Sequence, residues 1–272
     1  MSLEQQAALW WRMLYSELES SAVMRTPGIA GKRAARRVGS VRELFFSLAA
    51  ELPITSLIEI GAKDAETSRR FVESKPSGSA VAYEAAPSTY QKTLACGLPE
   101  RMELVNVAIG AKSGNIPFFL PLDERASAWG STRKRRMQEV PVTELTVPMI
   151  TLEEAGRRAS SGRLGRDTAL WLDVEGATME VLSSGTEFIK GRVGCIYMEV
   201  YDVDVYEGSG DVLQIIQLML DSGFIPVARD NQFELAWNLL VVHQDAYYAA
   251  QKTISTWLYK ERRSAVESGP PV

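Results

Sequence analysis

The sequence predicts an α/β protein with a mainly parallel sheet covered by helices on both faces. Three observations predict this fold class. From residue 54 onward, short apolar segments of β-like composition alternate with amphipathic segments of helical period. Seven of the apolar segments have the length of a strand. The 272 residues, 46% of them hydrophobic and 24% charged, are also enough to bury a substantial core.

Two helical segments precede the α/β pattern. Apolar residues recur in the first at spacings of four, three, four and four, at Leu3, Ala7, Trp10, Leu14 and Leu18. A turn-rich break over residues 26–31 separates it from a basic helix, which we expect to run to about residue 52 because Pro53 stops it. The sequence therefore predicts an N-terminal helical extension over residues 1–52 and a main domain over residues 53–272.

Seven strands are predicted in the main domain, each a short apolar run bounded by turn or helix residues. The first three are SLIEI (56–60), AVAYE (80–84) and MELVNVAI (102–109). The remaining four are TALWLDV (168–174), GCIYMEV (194–200), FIPVA (224–228) and ELAWNLLVVH (234–243).

Amphipathic segments between these strands predict the covering helices. They open at about Ala65, Pro87, Ala177 and Asp211, and a last one carries Tyr247. Between the third and fourth strands, the segments IPFFLPL and TVPMITL look extended. The polar residues 123–140 between them are predicted to form a loop or an active-site cover.

Composition excludes several classes of protein. Cys96 and Cys195 are the only cysteines and His243 is the only histidine, which excludes a disulfide framework and zinc hydrolase chemistry. The net charge of −4 gives no general affinity for nucleic acid, and we expect the basic residues 133–136 to be solvated surface. No run approaches a membrane span and the N-terminus lacks a secretion signal, so we expect a cytoplasmic protein.

Acidic residues end four of the predicted strands. They are Glu59, Glu84, Asp173 with Glu175, and Glu199. In an open α/β sheet, ligands bind beyond the carboxyl ends of the strands, near the point where strand order reverses. We therefore expect these carboxylates to point toward one crevice.

The ends of the first two strands indicate an adenosine-containing cofactor. Gly61 lets the backbone approach a ligand closely, and Glu84 follows Glu59 by 25 positions, a spacing that suits a carboxylate binding a ribose diol. The turn GAKDAE lacks a GxGxxG phosphate loop, and Glu59 would repel a phosphate. The pattern therefore disfavours a pyrophosphate and is compatible with a cationic sulfonium ligand.

These segments resemble the FkbM family of S-adenosylmethionine-dependent methyltransferases. The resemblance spans about residues 56–200 and rests on IEIGAKDAETS, YEAAPSTY, LVNVAIGAKSGNIPFF, VPMITLEEA, LWLDVEGATMEVLSSG and IYMEV. Asp-Val-Glu-Gly at the end of the fourth strand is the most distinctive stretch. The chain departs from the family at Ala65, where a second glycine is usual, and at Trp171, where lysine is usual.

The resemblance implies a seven-stranded Rossmann-like methyltransferase sheet, mostly parallel with an antiparallel last strand, that binds S-adenosylmethionine. The residues that it implies for the methionine side of the cofactor are Glu59, Gly61, Ala62 and Lys63. Those that it implies for the ribose and adenine are Glu84, Ala85, Asn106 and Ala108.

Carboxylates are also the candidates for the chemistry. Asp173 and Glu199 are predicted to hold a hard cation such as Mg²⁺, which would acidify a sugar-type hydroxyl. Without a metal, Asp173, Glu175 or His243 would act as general base, although a purely structural role for His243 is left open.

The sequence thus predicts an O-methyltransferase acting on a hydroxyl of a sugar, glycolipid or natural-product intermediate. Two alternatives stay open: an NAD-linked oxidoreductase, and a non-catalytic module that binds a nucleoside cofactor. The predicted partner is a small-molecule or saccharide acceptor, and a homo-oligomer is left open. Trp129, Tyr201 and Tyr206 are candidates to stack on a sugar.

Overall fold

The computed structural model of the chain describes residues 41–123, 129–136, 141–159, 165–201, 205–209, 211–230 and 236–267, with backbone alone over 261–267. The predicted first helix, the break at residues 26–31 and the C-terminal tail lie outside these residues. The division of the chain at residue 53 stays a prediction.

The described residues form eight helices. The first, α1, is helical over residues 41–51 and ends before Pro53, as predicted. The others are α2 (Glu66–Ser74), α3 (Pro87–Ala95), α4 (Leu152–Ala159), α5 (Thr178–Ser183), α6 (Thr186–Arg192), α7 (Val212–Asp221) and α8 (Gln244–Glu267). Among them, no helix is long and apolar enough to cross a membrane.

Ten strands are present in the same residues. They are β1 (Ser56–Ile60), β2 (Ser79–Tyr83), β3 (Met102–Val105), β4 (Ala108–Ile109), β5 (Gly114–Pro121), β6 (Val142–Ile150), β7 (Thr168–Leu172), β8 (Val193–Tyr201), β9 (Phe224–Arg229) and β10 (Ala236–His243). Seven of them form one sheet in the order β3-β2-β1-β7-β8-β10-β9. Its first five strands are parallel, whereas β10 runs antiparallel to β8 and β9. The predicted seven-stranded, mostly parallel sheet with an antiparallel last strand is confirmed.

A second, three-stranded sheet has the order β4-β6-β5. Its strands β5 and β6 confirm the two segments predicted to be extended, and they pair antiparallel. The predicted third strand over residues 102–109 is in fact divided between the two sheets, since β3 pairs with β2 and β4 pairs with β6. The break falls at Asn106 and Val107.

The core lies on both faces of the main sheet, as the central strand β7 shows. All five of its residues are buried. Ala169 and Trp171 join the apolar cluster on one face, and Leu170 and Leu172 join the cluster on the other. A parallel strand covered on both sides is a nearly continuous apolar run, which is why the sequence identifies it readily.

Helix α1 covers one face of the sheet through an aromatic cluster. Its Phe45 ring lies 5.3 Å from Trp171 and 6.0 Å from Tyr197, both edge-on. Trp171 and Tyr197 stack at 3.8 Å. Trp171, which replaces the lysine usual in the family, is therefore a core residue that packs against α1.

Candidate active site

A cavity of about 790 Å³, counting its open mouth, lies at the carboxyl ends of β1, β2 and β7. We call it the strand-end cavity. Residues from the small sheet and from residues 130–132 complete its wall. Of the residues predicted for the site, it is lined by Gly61, Lys63, Glu84, Ala85, Ala108, Asp173 and Glu175. The position matches the general rule for ligand sites in open α/β sheets.

Gly61 turns the chain out of β1 with a left-handed φ of 79°. Its N–H and that of Ala62 both donate to the Tyr83 carbonyl at 3.0 Å, which ties the turn to β2. A Cβ on Gly61 would lie 1.7 Å from the carbonyl oxygen of Asp173. Bare backbone therefore forms this part of the cavity wall, whereas the Ala62 side chain is buried in the core.

Glu84 is fixed at the end of β2 by two backbone hydrogen bonds. The N–H of Lys63 donates to Oε2 at 2.7 Å, and the N–H of Ala86 donates to Oε1 at 2.8 Å. Burial raises the pKa of Glu84, and these two bonds oppose that shift. Each carboxylate oxygen keeps a second acceptor site, so the group can still bind two hydroxyls.

The region predicted to bind adenine is held by Asn106. Its Nδ2 donates to the carbonyls of Glu84 at 2.8 Å and Ala85 at 3.1 Å, so it fixes the backbone of the cavity wall without lining the cavity. Ala108 lines the cavity beside Phe118, a buried residue of β5. Phe118 was not predicted for the site, because only pairing of β5 with β6 brings it there.

Glu59 lies beneath the turn and not in the cavity wall. It is 3% exposed, and its Oε2 accepts the N–H of Ser68 in the first turn of α2 at 2.9 Å. The residue at the N-cap, Ala65, has no side-chain oxygen, so Glu59 supplies the acceptor that the helix end requires. Burial raises the pKa of Glu59 to about 7 despite this bonding.

Three carboxylates meet near the carboxyl ends of β7 and β8. Oxygens of Asp173, Glu175 and Glu199 lie within 4.8 Å of one another. Solvent reaches the Asp173 side chain through the cavity, although protein atoms surround the carboxylate. Burial by those atoms, followed by the charge of Glu175, raises the pKa of Asp173 to about 7. The cluster therefore concentrates negative charge that only partial protonation or a cation would relieve.

Two tyrosine hydroxyls contact Glu175 and Glu199. The hydroxyl of Tyr201 lies 2.9 Å from Glu175 Oε2 and 2.6 Å from Glu199 Oε2, and the hydroxyl of Tyr206 also donates to Glu175 Oε2. One phenol proton serves one acceptor at a time, so Glu175 and Glu199 share the single donor of Tyr201. Burial, followed by the charges of Asp173 and Glu175, raises the pKa of Glu199 well above its ordinary value.

Part of the predicted cover lies against the cavity. Ser131 Oγ donates to the Glu175 carbonyl at 2.7 Å and accepts the Arg133 N–H at 3.0 Å. Arg133 forms an ion pair with Glu180 in α5. These contacts fix residues 129–136 beside the carboxylates, while residues 124–128 and 137–140 lie outside the described chain.

The structure does not bring His243 to this site. His243 pairs with Phe224 at the start of β9, and its neighbour Val242 pairs with Cys195 near the start of β8. Because β10 is antiparallel, its last residue lies at the opposite edge of the sheet from the strand-end cavity. There the ring accepts the Asp245 N–H and packs on Phe224, and burial lowers its pKa to about 4.

Known proteins resemble this chain over the residues that form the site. A family described as the methyltransferase FkbM domain matches residues 59–226. The 2-O-methyltransferase NoeI of Sinorhizobium fredii (strain NBRC 101917 / NGR234) is 28% identical over 177 residues, which cover 62% of this chain and 72% of that protein.

Two solved structures are more distant. Magnesium protoporphyrin IX methyltransferase from Synechocystis PCC 6803, solved with bound S-adenosylmethionine, has 8% identity and a TM-score of 0.44, covering 81% of this chain and 86% of its own. Precorrin-6y C5,15-methyltransferase from Geobacter metallireducens GS-15 has 12% identity and a TM-score of 0.40, covering 74% and 87%. At these low values neither likeness bears on the acceptor or on the site.

Proposed function

This chain belongs to the FkbM methyltransferase family, and from that premise we propose that it methylates a hydroxyl oxygen of a sugar, glycolipid or natural-product intermediate. Family membership makes it a methyltransferase that uses S-adenosylmethionine. The name of the relative, a 2-O-methyltransferase, supports an oxygen acceptor. The absence of a GxGxxG loop after β1 disfavours the NAD-linked alternative.

One observation carries the proposal. Glu84 and Asp173, which end different strands, line the same cavity on either side of the bare Gly61 turn. A nucleoside bound to Glu84 would thus extend past Gly61 toward Asp173. This arrangement gives the cavity one end suited to a ribose and another suited to chemistry.

At the ribose end, the fixed carboxylate of Glu84 would accept the two ribose hydroxyls. Ala85, Ala108 and Phe118 would pack against the adenine, with Asn106 holding the wall behind them. Gly61 and Lys63 would lie along the methionine part. Glu59 and Ala62 would support the turn from behind, without touching the ligand.

At the other end, we propose that Asp173 is the general base. S-adenosylmethionine supplies an electrophilic methyl group; as the acceptor oxygen forms its bond to that carbon, the carbon–sulfur bond breaks, leaving S-adenosylhomocysteine. The acceptor's proton passes to the carboxylate of Asp173. A pKa of about 7 suits this transfer near neutral pH, and the cavity aligns the two reactants. Glu175 would support Asp173 electrostatically.

In a Mg²⁺-assisted reaction, Asp173 and Glu199 would instead hold the cation, and Asp173 would not be the general base. Their carboxylate oxygens, with those of Glu175, lie within 4.8 Å of one another, and such oxygens are the ligands that Mg²⁺ prefers. A bound cation would acidify an acceptor hydroxyl. Chelator-treated protein should then lose turnover and regain it with added magnesium, while binding of S-adenosylhomocysteine stays unchanged.

Two substitutions test the roles of the carboxylates. Glu84→Ala should weaken binding of S-adenosylhomocysteine in calorimetry, whereas Asp173→Asn should bind it normally and lose turnover with labelled methyl donor. The exposed Glu73→Ala on α2 is the control and should change neither property.

Three results would overturn the proposal. Unchanged binding by Glu84→Ala would remove the ribose assignment. Tighter binding of NAD than of S-adenosylhomocysteine would favour an oxidoreductase. Binding without turnover on any saccharide or small-molecule acceptor would favour a non-catalytic module.

A further inference from the structure

A cation lies near the faces of two aromatic rings beside the strand-end cavity. The Arg135 guanidinium carbon lies 4.5 Å from the ring centre of Trp129 and 6.0 Å from that of Tyr206. The backbone of Arg135 also pairs with that of Tyr206 in an isolated bridge. We call Trp129, Arg135 and Tyr206 the aromatic–arginine cluster.

Within the described chain, Arg135 has hydrogen-bond donors that nothing satisfies. Its Nε and Nη1 are buried and have no partner. Neighbouring side chains of the same basic run are engaged, because Arg133 pairs with Glu180 and Lys134 lies over the Phe119 ring. A buried donor without an acceptor is costly, so a protein that keeps one usually uses it for a ligand, an ion or water.

The aromatic–arginine cluster lies next to the strand-end cavity. Residues 130–132 line the cavity between Trp129 and Arg135 in the chain. Tyr206 donates its hydroxyl to Glu175, a cavity residue. Tyr206 and the chain between Trp129 and Arg135 therefore connect the cluster to the cavity wall.

Tyr206 contacts both this cation and Glu175. Its face is turned to Arg135, and its hydroxyl end contacts Glu175. A negative group bound at Arg135 would thus lie beyond a phenol ring from Glu175. Trp129, 39% exposed, offers an apolar face next to the same guanidinium. An aromatic face beside a planar donor group fits a sugar ring that carries a charged oxygen substituent.

Building on the proposed function, we propose that the aromatic–arginine cluster is the acceptor subsite, and that the acceptor carries an oxyanion bound by Arg135. The oxyanion is a carboxylate, sulfate or phosphate on a sugar-sized molecule. Its ring packs on Trp129, and a hydroxyl on the same molecule reaches Asp173. The neutral alternative, a sugar without charge, is an outcome of the test below.

The test measures binding of four sugars to the full chain loaded with S-adenosylhomocysteine. The ligands are glucose, glucuronate, glucose 6-sulfate and glucose 6-phosphate, titrated in a buffer free of sulfate and phosphate. At least one charged sugar should bind about tenfold more tightly than glucose, since charge-assisted bonds to a guanidinium are strong. The three charged forms distinguish the kinds of oxyanion.

Matched variants show whether Arg135 is responsible. Arg135→Ala should abolish the preference for the charged sugar, and Arg135→Lys should retain only part of it because lysine lacks the planar fork. Lys134→Ala removes the same charge from the next position and should keep the preference. Binding of S-adenosylhomocysteine shows that a variant is folded. If Arg135→Ala does not bind it, the sugar preference of Arg135→Lys is the test of the inference.

Several outcomes would overturn the inference. It fails if glucose and all charged sugars bind equally, or if no charged sugar binds at millimolar concentration. It also fails if Lys134→Ala loses the preference as fully as Arg135→Ala. These failures differ from those of the proposed function, which are read from cofactor binding and methyl turnover and not from the preference among sugars.

Discussion

The approach of Gly61 to the end of β7 makes Gly61→Ala the most informative stability variant. The new methyl carbon would lie 1.7 Å from the Asp173 carbonyl oxygen, whereas real contacts of this kind are essentially never below 3.0 Å. The backbones of β1 and β7 would therefore have to separate by more than 1 Å. That movement strains the hydrogen bond from the Asp173 N–H to the Ile60 carbonyl, now 2.9 Å long.

Three costs combine in this variant. A left-handed φ costs a non-glycine residue about 1–2 kcal/mol. Forcing an extra carbon into a packed site costs about 1–3 kcal/mol. A weakened backbone hydrogen bond adds about 1 kcal/mol. The expected loss in the free energy of unfolding is therefore about 3–6 kcal/mol.

Gly97 provides a matched control. Its φ of 76° is nearly that of Gly61, but no atom lies within 4 Å of the position that a Cβ would occupy. Gly97→Ala should therefore lose only the backbone contribution, about 1–2 kcal/mol. The difference between the two variants isolates the close approach of β1 to β7.

Urea and thermal unfolding of the parent and both variants measure this difference. A gap of about 2 kcal/mol corresponds to about 4–8 °C in midpoint for a chain of this size. Calorimetry should also show that Gly61→Ala binds S-adenosylhomocysteine weakly and Gly97→Ala binds it normally. Equal stability of the two variants would refute the argument, because the steric contribution would then be absent.

Three further variants test separate parts of the structure. Folding raises the pKa of Glu59 from 4.5 to about 7. The contribution of Glu59 to stability is therefore fully present below pH 4.5 and is lost as the pH rises to 7. Glu59→Gln should show a smaller fall in unfolding midpoint between pH 5 and pH 8 than the parent chain, and an unchanged fall would contradict this. Arg192→Ala removes the ion pair with Asp167, whose side chain is 8% exposed, and should cost about 2–3 kcal/mol in urea unfolding. Arg158→Ala, in an exposed ion pair, should cost less than about 1 kcal/mol, and equal costs would show that burial is not decisive. Ala65→Gly should change the free energy of unfolding by less than about 1 kcal/mol, because relief of the left-handed φ offsets the lost burial of a methyl group. A larger change in the unfolding midpoint would show that one of the two effects dominates.

The main sheet could be predicted because burial on both faces leaves a local signature. Every residue of β7 is buried, and four of the five are apolar, so the strand is a short apolar run bounded by polar residues. The division of residues 102–109 has no such signature. Asn106 leaves the strand to bond the carbonyls of Glu84 and Ala85, about twenty residues earlier in the chain. Such long-range pairing is not visible in a local pattern.

The site could be predicted only as far as strand direction allowed. Acids at the ends of parallel strands meet at one edge, which the structure bears out for Glu84 and Asp173. His243 also ends a strand, but that strand is the antiparallel one, so direction alone places His243 at the far edge. Glu59 differs for another reason: its carboxylate caps α2 because Ala65 at the N-cap has no acceptor.

The two carboxylates that line the cavity occupy different environments, and this difference supports a division of roles between them. Both oxygens of Glu84 accept backbone N–H groups, which hold the carboxylate in one orientation and favour its charged form. Asp173 instead lies beside Glu175, whose charge adds to burial in favouring the protonated form and raises the pKa of Asp173 to about 7. A carboxylate whose orientation is fixed by two N–H donors is suited to bind hydroxyls, whereas one whose pKa lies near neutral pH is suited to accept a proton during the reaction.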